Sequence, residues 1–330
     1  MSENTKIEWA DHTFNPWIGC TQVSPGCDNC YAAVNTASRA LGIQWGPGQA
    51  RHRTKTWSEP EKWNRAHEAF QAQHGRRQRV FCASLADVFD NEVDPQWRAD
   101  LFNLIEATPN LDWLLLTKRI GNANAMMYGT LLDRANGWTP PGNLWLGATI
   151  VNQTEADRDI PKLLSVPAAK RFLSMEPLLG PVNLTQVMRS SYDGDWTYCD
   201  NVLTGFLANK SGGSTDRQYA VDWVIVGGES GPGARPMHPD WARSLRDQCE
   251  AAGVPFLFKQ WGEWTPGVNV TAKRGTVEAA TWFNNQWLLQ KEDLSVIDGH
   301  ADNEPDLYRI GKKAAGRLLD GRTHDGFPEA

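Results

Sequence analysis

Short, nearly continuous apolar runs recur along the 330-residue chain, most of them followed by a polar or helix-patterned stretch. They are FNPWIG (14–19), RVFCASL (79–85), LDWLLLTK (111–118), NLWLGATIV (143–151), KRFLSME (170–176), DWVIVGGE (222–229) and PFLFKQW (255–261). Runs without polar alternation fit strands buried on both faces of a parallel sheet. Between them, PQWRADLFNLIEATP (95–109), TEADRDIPKLLSV (154–166) and HPDWARSLRDQCEAAG (238–253) read as helices. The last has a proline at its start and ends on Gly253, a sensible start and stop. Strand alternating with helix predicts an α/β fold with right-handed crossovers. Six to seven units suit a partial (β/α) barrel of parallel strands better than a compact doubly wound sheet.

Two regions break this rhythm. Residues 185–221 are polar and rich in Gly and Ser, which predicts an insertion. Residues 262–330 form a tail with a strand-like pair, TVEAATWF and QWLLQKEDL, and a predicted basic helix, LYRIGKKAAGRLLDG. The expected organisation is a barrel domain over 1–264 and a C-terminal extension over 265–330 packed on it. There is no internal repeat and no long low-complexity tract.

In parallel barrels, chemistry gathers at the C-terminal ends of the strands. Polar residues accumulate there in this chain. They are Ser84 and Asp87 after the second run, Thr117, Lys118 and Arg119 after the third, and Thr149 and Asn152 after the fourth. Glu176 follows the fifth, Gly227, Gly228 and Glu229 the sixth, and Lys259 with Gln260 the seventh. Arg76, Arg77 and Arg79 precede the second run, so they belong on the opposite face, as surface solvation. ARHRTKTW (50–57) reads as a solvated loop, or as an extension toward a nucleic-acid backbone.

Net charge of −6 argues against a protein whose main task is to coat nucleic acid, although a local basic face is compatible with it. The sixteen tryptophans read mainly as packing, with some free to stack on a flat group such as a base. No apolar run approaches the roughly 20 residues that span a bilayer, and MSENTKIEWADHTF lacks the features of a signal peptide. The expected compartment is the cytoplasm. There, clustered cysteines read as metal-binding or catalytic in preference to disulfides.

Such a cluster lies in NPWIGCTQVSPGCDNCYA (15–32), with Cys20, Cys27 and Cys30 within eleven residues. One reading is a zinc site completed by a fourth ligand, for which His12 is nearest in sequence; a second ligand pair at matching spacing is missing. The other is a [4Fe–4S] cluster. Such clusters usually have four cysteine ligands, and three would leave one iron open to an exogenous ligand. Cys82 lies inside the second strand, where a small buried residue is the plain reading and a hydrogen-atom donor the sharper one.

The cysteine loop after a first strand, together with ADVFD, LLLTKR, FLSMEPLLGP, VIVGGESG, FKQWGEW and GKKAAGRLLDGR, resembles the radical SAM superfamily. The closer likeness is to a phage-associated three-Cys-motif family distantly related to spore photoproduct lyase. The spacing departs from the commonest pattern: six residues, not three, separate Cys20 from Cys27, and Asn29 precedes the last cysteine. The resemblance implies a [4Fe–4S] cluster on Cys20, Cys27 and Cys30, with S-adenosylmethionine as co-substrate. It also implies an electron donor such as flavodoxin or ferredoxin, and for a phage protein the host cytoplasm. Candidate S-adenosylmethionine contacts are Ser84, Asp87, Thr149, Asn152, Glu176, Gly227, Gly228 and Glu229. Lys118, Arg119, Arg235 and Lys259 are candidates for an anionic substrate group, and Trp261 or Trp264 for stacking on a base. The expected activity is radical modification or rearrangement of a nucleobase or its substituent, in phage DNA hypermodification. Modification of a peptide or small metabolite is the alternative within enzymes. A non-catalytic, zinc-stabilised nucleic-acid-binding module is the alternative outside them.

Overall fold

The computed structural model describes residues 4–33, 42–131, 140–191, 194–271, 274–296 and 306–329. Seven strands form one all-parallel sheet in which spatial order follows chain order. They are β1 (His12–Phe14), β2 (Gln78–Cys82), β3 (Leu111–Thr117), β4 (Leu144–Thr149), β5 (Lys170–Met175), β6 (Trp223–Gly227) and β7 (Phe256–Gln260). The sheet curls into a half-barrel, the partial barrel that the apolar runs predict. Helices α1 (Glu59–Arg65), α2 (His67–His74), α3 (Pro95–Ala107), α4 (Ile120–Leu131), α5 (Gln153–Ser165) and α6 (Pro239–Ala252) occupy the crossovers. Caps set several starts. Asp94 Oδ1 accepts from Gln96 N and Asn152 Oδ1 from Glu155 N, and α6 ends on Gly253 at φ +67°.

Both faces of the sheet are buried, which is why its strands lack polar alternation. Val80, Cys82, Trp113, Leu115, Leu146, Leu173, Val224 and Phe258 belong to the large core that includes helix residues such as Leu101, Ile105, Ile160 and Leu245. Phe81, Leu114, Trp145, Phe172, Trp223, Ile225 and Leu257 form a separate cluster on the inner face. Gly147 pairs in register with Phe172, and a Cβ on it would lie 2.3 Å from the Phe172 ring. Only glycine gives that ring room.

Both ends of the chain close the half-barrel. Trp9 is buried with its ring 4.4 Å from Phe81. From the other end, Phe258 N donates to His324 O and Gly326 N to Phe256 O, so the tail runs antiparallel along the edge of β7. Phe327 then packs 5.2 Å from Trp223. Arg79 is buried 4.2 Å from the Phe327 ring, Arg76 pairs with Asp11, and Arg77 with Asp112. These arginines do lie at the N-terminal ends of the strands. They are paired and one is buried, however, so they are structural and not surface solvation.

The tail adds a four-stranded antiparallel sheet of β8 (Trp264–Pro266), β9 (Thr276–Phe283), β10 (Gln286–Asp293) and β11 (Asp306–Arg309), in the order β8-β11-β9-β10. The predicted terminal basic helix is corrected: LYR belongs to β11, and only one turn, α7 (Lys312–Ala315), is helical between Gly311 and Gly316. The insertion forms two short ribbons, 187–190 with 197–200 and 206–207 with 214–215. Among the described residues, no helix is long and apolar enough to cross a membrane.

Candidate functional site

The strand carrying the cysteine loop is shorter than FNPWIG suggests. β1 stops at Phe14, and Trp17–Ile18 instead pairs antiparallel with His52–Arg53. Gly19 then meets Ala86 beside the end of β2, which delivers Cys20 to the C-terminal rim. Pro25–Cys27 makes a single 3-10 turn, with Ser24 Oγ accepting from Gly26 N. Cys27 is buried, Cys20 and Cys30 are half-buried, and none is in a disulfide.

All three thiols line one cavity of about 380 Å³ over the strand ends. Its walls include Ser84, Asp87, Lys118, Arg119, Thr149, Ser174, Glu176, Gly228, Glu229 and Lys259. Most of the sequence candidates therefore share one rim. Their hydrogen bonds assign several of them different roles.

Asp87 is buried and already accepts from Thr117 Oγ1 (2.7 Å), Lys118 N (2.9 Å) and Phe89 N (2.9 Å). It also lies 3.4 Å from Arg119 Nη1. It is a bracket for Arg119 and not a free acceptor for S-adenosylmethionine. Arg119 in turn donates to Cys20 Sγ at 3.2 Å and to Thr21 O at 2.5 Å, so it holds the cysteine loop and not a substrate anion. Burial, then the Asp87 carboxylate, pushes the Cys20 thiol up to about 11, with Arg119 pulling the other way.

On the opposite wall, Glu229 is buried and accepts from Arg235 N, Nε and Nη2, and from Asn29 Nδ2. Arg235 reaches across to Asp28 Oδ2 (3.0 Å) and Pro25 O (2.8 Å). Glu229 and Arg235 thus clamp the cysteine loop from the far side. Glu229, the expected cofactor contact, also lines the cavity, whereas Arg235, the expected substrate contact, is outside its lining. Lys259 pairs with Glu176 (2.7 Å), whose carboxylate also accepts from Gln260 Nε2.

Other assignments are corrected as well. Asn152 caps α5 and is outside the cavity lining. Cys82 is fully buried on the helix-facing side of β2, so it cannot deliver a hydrogen atom into the cavity. Trp261 and Trp264 are buried and donate to Leu318 O and Ala234 O, which makes them packing residues. Gly228 does line the cavity, but what requires glycine is backbone packing: a Cβ there would sit 1.9 Å from Trp261 O. Gly227 is outside the cavity lining, and a Cβ there would make only an ordinary contact, 3.4 Å from Glu176 Cδ. Arg51 is buried in ion pairs with Asp90 and Glu92, and Arg53 pairs with Asp100, so the two arginines of ARHRTKTW are spent on the protein.

Three features escaped the sequence reading. Tyr31 lines the cavity with its hydroxyl donating to Ser84 O at 3.0 Å. Trp45 lines it too, with an unpartnered indole N–H. Lys6 and Lys312, from opposite ends of the chain, complete the mouth. The Tyr directly after the last cysteine was visible in sequence; the others have no local signal. Thr149 Oγ1 is buried, lines the cavity and has no hydrogen-bond partner.

Three thiols on one wall are the donor type that an iron–sulfur cluster takes. Three thiols share a cavity wall, yet among the described residues no three His, Cys, Asp or Glu groups converge on one metal position. His12, the sequence candidate for a fourth zinc ligand, is buried and stacked 4.2 Å from Trp63 at the far end of β1.

The family model described as "Protein of unknown function (DUF5131)" matches residues 4–328, and the chain belongs to that family. No curated protein and no solved structure matches.

Proposed function

We propose that the chain is a radical SAM enzyme whose Cys20, Cys27 and Cys30 hold a [4Fe–4S] cluster, acting on a nucleobase or its substituent as in phage DNA modification. The observation that carries this reading is three unpaired thiols lining one cavity at the C-terminal mouth of a half-barrel. When bound, such a cluster supplies the electron that cleaves S-adenosylmethionine to a 5′-deoxyadenosyl radical. The chain's own part is to hold and shield. Arg119 from one side and the Glu229–Arg235 pair from the other fix the cysteine loop, and the buried aromatic floor keeps water out of the barrel below. Thr149 Oγ1 offers a hydroxyl partner to a ligand seated on that floor, while Ser84 Oγ is engaged by the Asn15 amide. Tyr31 and Trp45, in place of Trp261, supply flat surfaces on the wall, which supports a base as target.

Anaerobic reconstitution tests the proposal. Brown protein with about four irons per chain and formation of 5′-deoxyadenosine from S-adenosylmethionine support it. Stoichiometric tightly bound zinc with no iron overturns it. Turnover of a peptide or small metabolite, with none of nucleotides or oligonucleotides, moves the substrate assignment and keeps the radical chemistry.

A further inference from the structure

The charges lining the cavity do not balance, although the chain as a whole carries −6. Asp87 is matched by Arg119, Glu176 by Lys259, and Glu229 by Arg235. What remains is Lys6, Lys118 and Lys312 against Glu8. No carboxylate lies within ion-pair distance of any of these lysines among the described residues. They come from three separate segments: the N-terminal segment, the residue after β3, and the first turn of α7. Lys118 is half-buried against the cysteine loop, its Cε 3.3 Å from where a Cβ on Gly26 would lie. Lys6 and Lys312 are exposed, and three like charges around one cleft raise the local potential and draw an anion to it. S-adenosylmethionine is not that anion, because its sulfonium and ammonium outweigh its carboxylate, and an oxidised [4Fe–4S] cluster on the three thiolates would offset only one of the two excess positive charges.

We propose that Lys6, Lys118 and Lys312 form an anion-binding mouth for a phosphate of the substrate, so that the cavity takes a nucleotide with its phosphate and not a free base or nucleoside. The base half of this statement rests on the function proposed above. The phosphate half rests on the unpaired charge. Lysines are point-charge donors, and three of them reaching in from different directions suit a group that carries nearly two charges and accepts from several sides. A planar carboxylate would call for an arginine fork, and Arg119 and Arg235 both spend theirs on the protein. Thr149 Oγ1, buried and unpartnered in the same cavity, is left to a neutral part of a ligand.

The test is equilibrium dialysis of the anaerobic full-length protein with thymidine 5′-monophosphate and deoxycytidine 5′-monophosphate, each against its nucleoside. The monophosphates bind at least about tenfold more tightly, and the preference fades as salt rises from about 50 to about 300 mM. Lys118→Met combined with Lys312→Met removes the preference. Lys6→Met with Lys312→Met, at two exposed positions that leave folding intact, weakens it. Equal binding of nucleoside and monophosphate, a preference that survives both double variants, or no saturable binding of any probe overturns the proposal. Octathymidylate separates the two sources of phosphate. Tighter binding than the monophosphate assigns it to a strand, equal or weaker binding to a free nucleotide, and each supports the mouth. Formation of 5′-deoxyadenosine with dithionite and no substrate reads the cluster separately. If it forms while the phosphate preference is absent, the mouth alone fails. If the preference is present without it, the radical reading alone fails.

Discussion

Replacing Arg119 by methionine is the sharpest probe of how the cysteine loop is held. The side chain is 7 % exposed, and its guanidinium faces Asp87 at 3.4 Å and Asp90 at 3.9 Å while bonding Cys20 Sγ and Thr21 O. Removing one member of a buried ion pair costs about 3–5 kcal/mol, because a charge stays behind unpaired. Here the charges left behind keep other partners. Asp87 retains Thr117 Oγ1 and two backbone N–H donors, and Asp90 retains Arg51 at 2.8 Å. The lower end of that range therefore applies, about 3 kcal/mol. At about 2–4 °C per kcal/mol for a large domain, Tm falls by about 6–12 °C. The assay is thermal unfolding of the metal-free protein followed by circular dichroism. Iron per chain after reconstitution is the second readout, and it should drop because Cys20 loses the charged donor that holds it. Arg119→Lys restores charge without the two-pronged geometry and recovers part of the loss. A Tm within about 1 °C of wild type, with iron content unchanged, would refute the bracket.

Three further substitutions address other parts of the fold. Gly147→Ala drives a methyl into the Phe172 ring and costs about 1–3 kcal/mol in chemical denaturation; Phe172→Leu in the same chain returns part of it, and equal stability of the two variants would count against the packing. His238 caps α6 and is held below its ordinary 6.5 by burial, so the folded state prefers the neutral ring. Stability is full above 6.5 and falls as the pH drops through 6.5 toward the lowered value; His238→Asn keeps a cap acceptor and flattens that dependence between pH 7 and pH 5, to about 0.5 kcal/mol or less. Cys82→Ala lowers stability by about 1–2 kcal/mol yet leaves 5′-deoxyadenosine formation at wild-type rate, and a selective loss of turnover would return Cys82 to the chemistry.

The strands were legible because a sheet covered on both faces writes itself as unbroken apolar runs, and LDWLLLTK or DWVIVGGE admits few other readings. Helix starts were legible where Pro95 and Pro239 mark the first turn. What failed was local competition. Asn15-Pro16 interrupts FNPWIG, so the strand ends at Phe14, and Gly311 and Gly316 cut the supposed terminal helix to one turn. The rim residues were legible as a set, since a strand's C-terminal end is defined by sequence alone. Their partners were not. Arg235 finds Pro25 across 210 positions and Lys259 finds Glu176 across 83, and nothing near either residue announces the match. Free rim charges and paired ones therefore look identical in one sequence. That is why Asp87, Glu229 and Arg235 were read as ligand contacts while Lys6 and Lys312 went unread.

An eight-stranded parallel barrel closes on itself and is filled by its own side chains. Seven strands leave the barrel open, with an edge on β7 and a floor that other segments must cover. The two chain ends meet both needs. Residues 324–326 pair along β7, and Trp9 and Phe327 fill the floor against Phe81, Phe172 and Trp223. The division of labour predicts a separable effect for Phe327→Ala. The ring is half-buried and also stacks on Arg79, so its loss costs about 2–3 kcal/mol, below the range for a fully buried phenylalanine. Chemical denaturation reads that cost. The cysteine loop is held by Arg119, Glu229 and Arg235, none of which touches the floor, so iron per chain after reconstitution stays at the wild-type value. Loss of iron in step with stability would mean that the floor and the thiol wall form one unit, and the two-part construction of the cavity would be wrong.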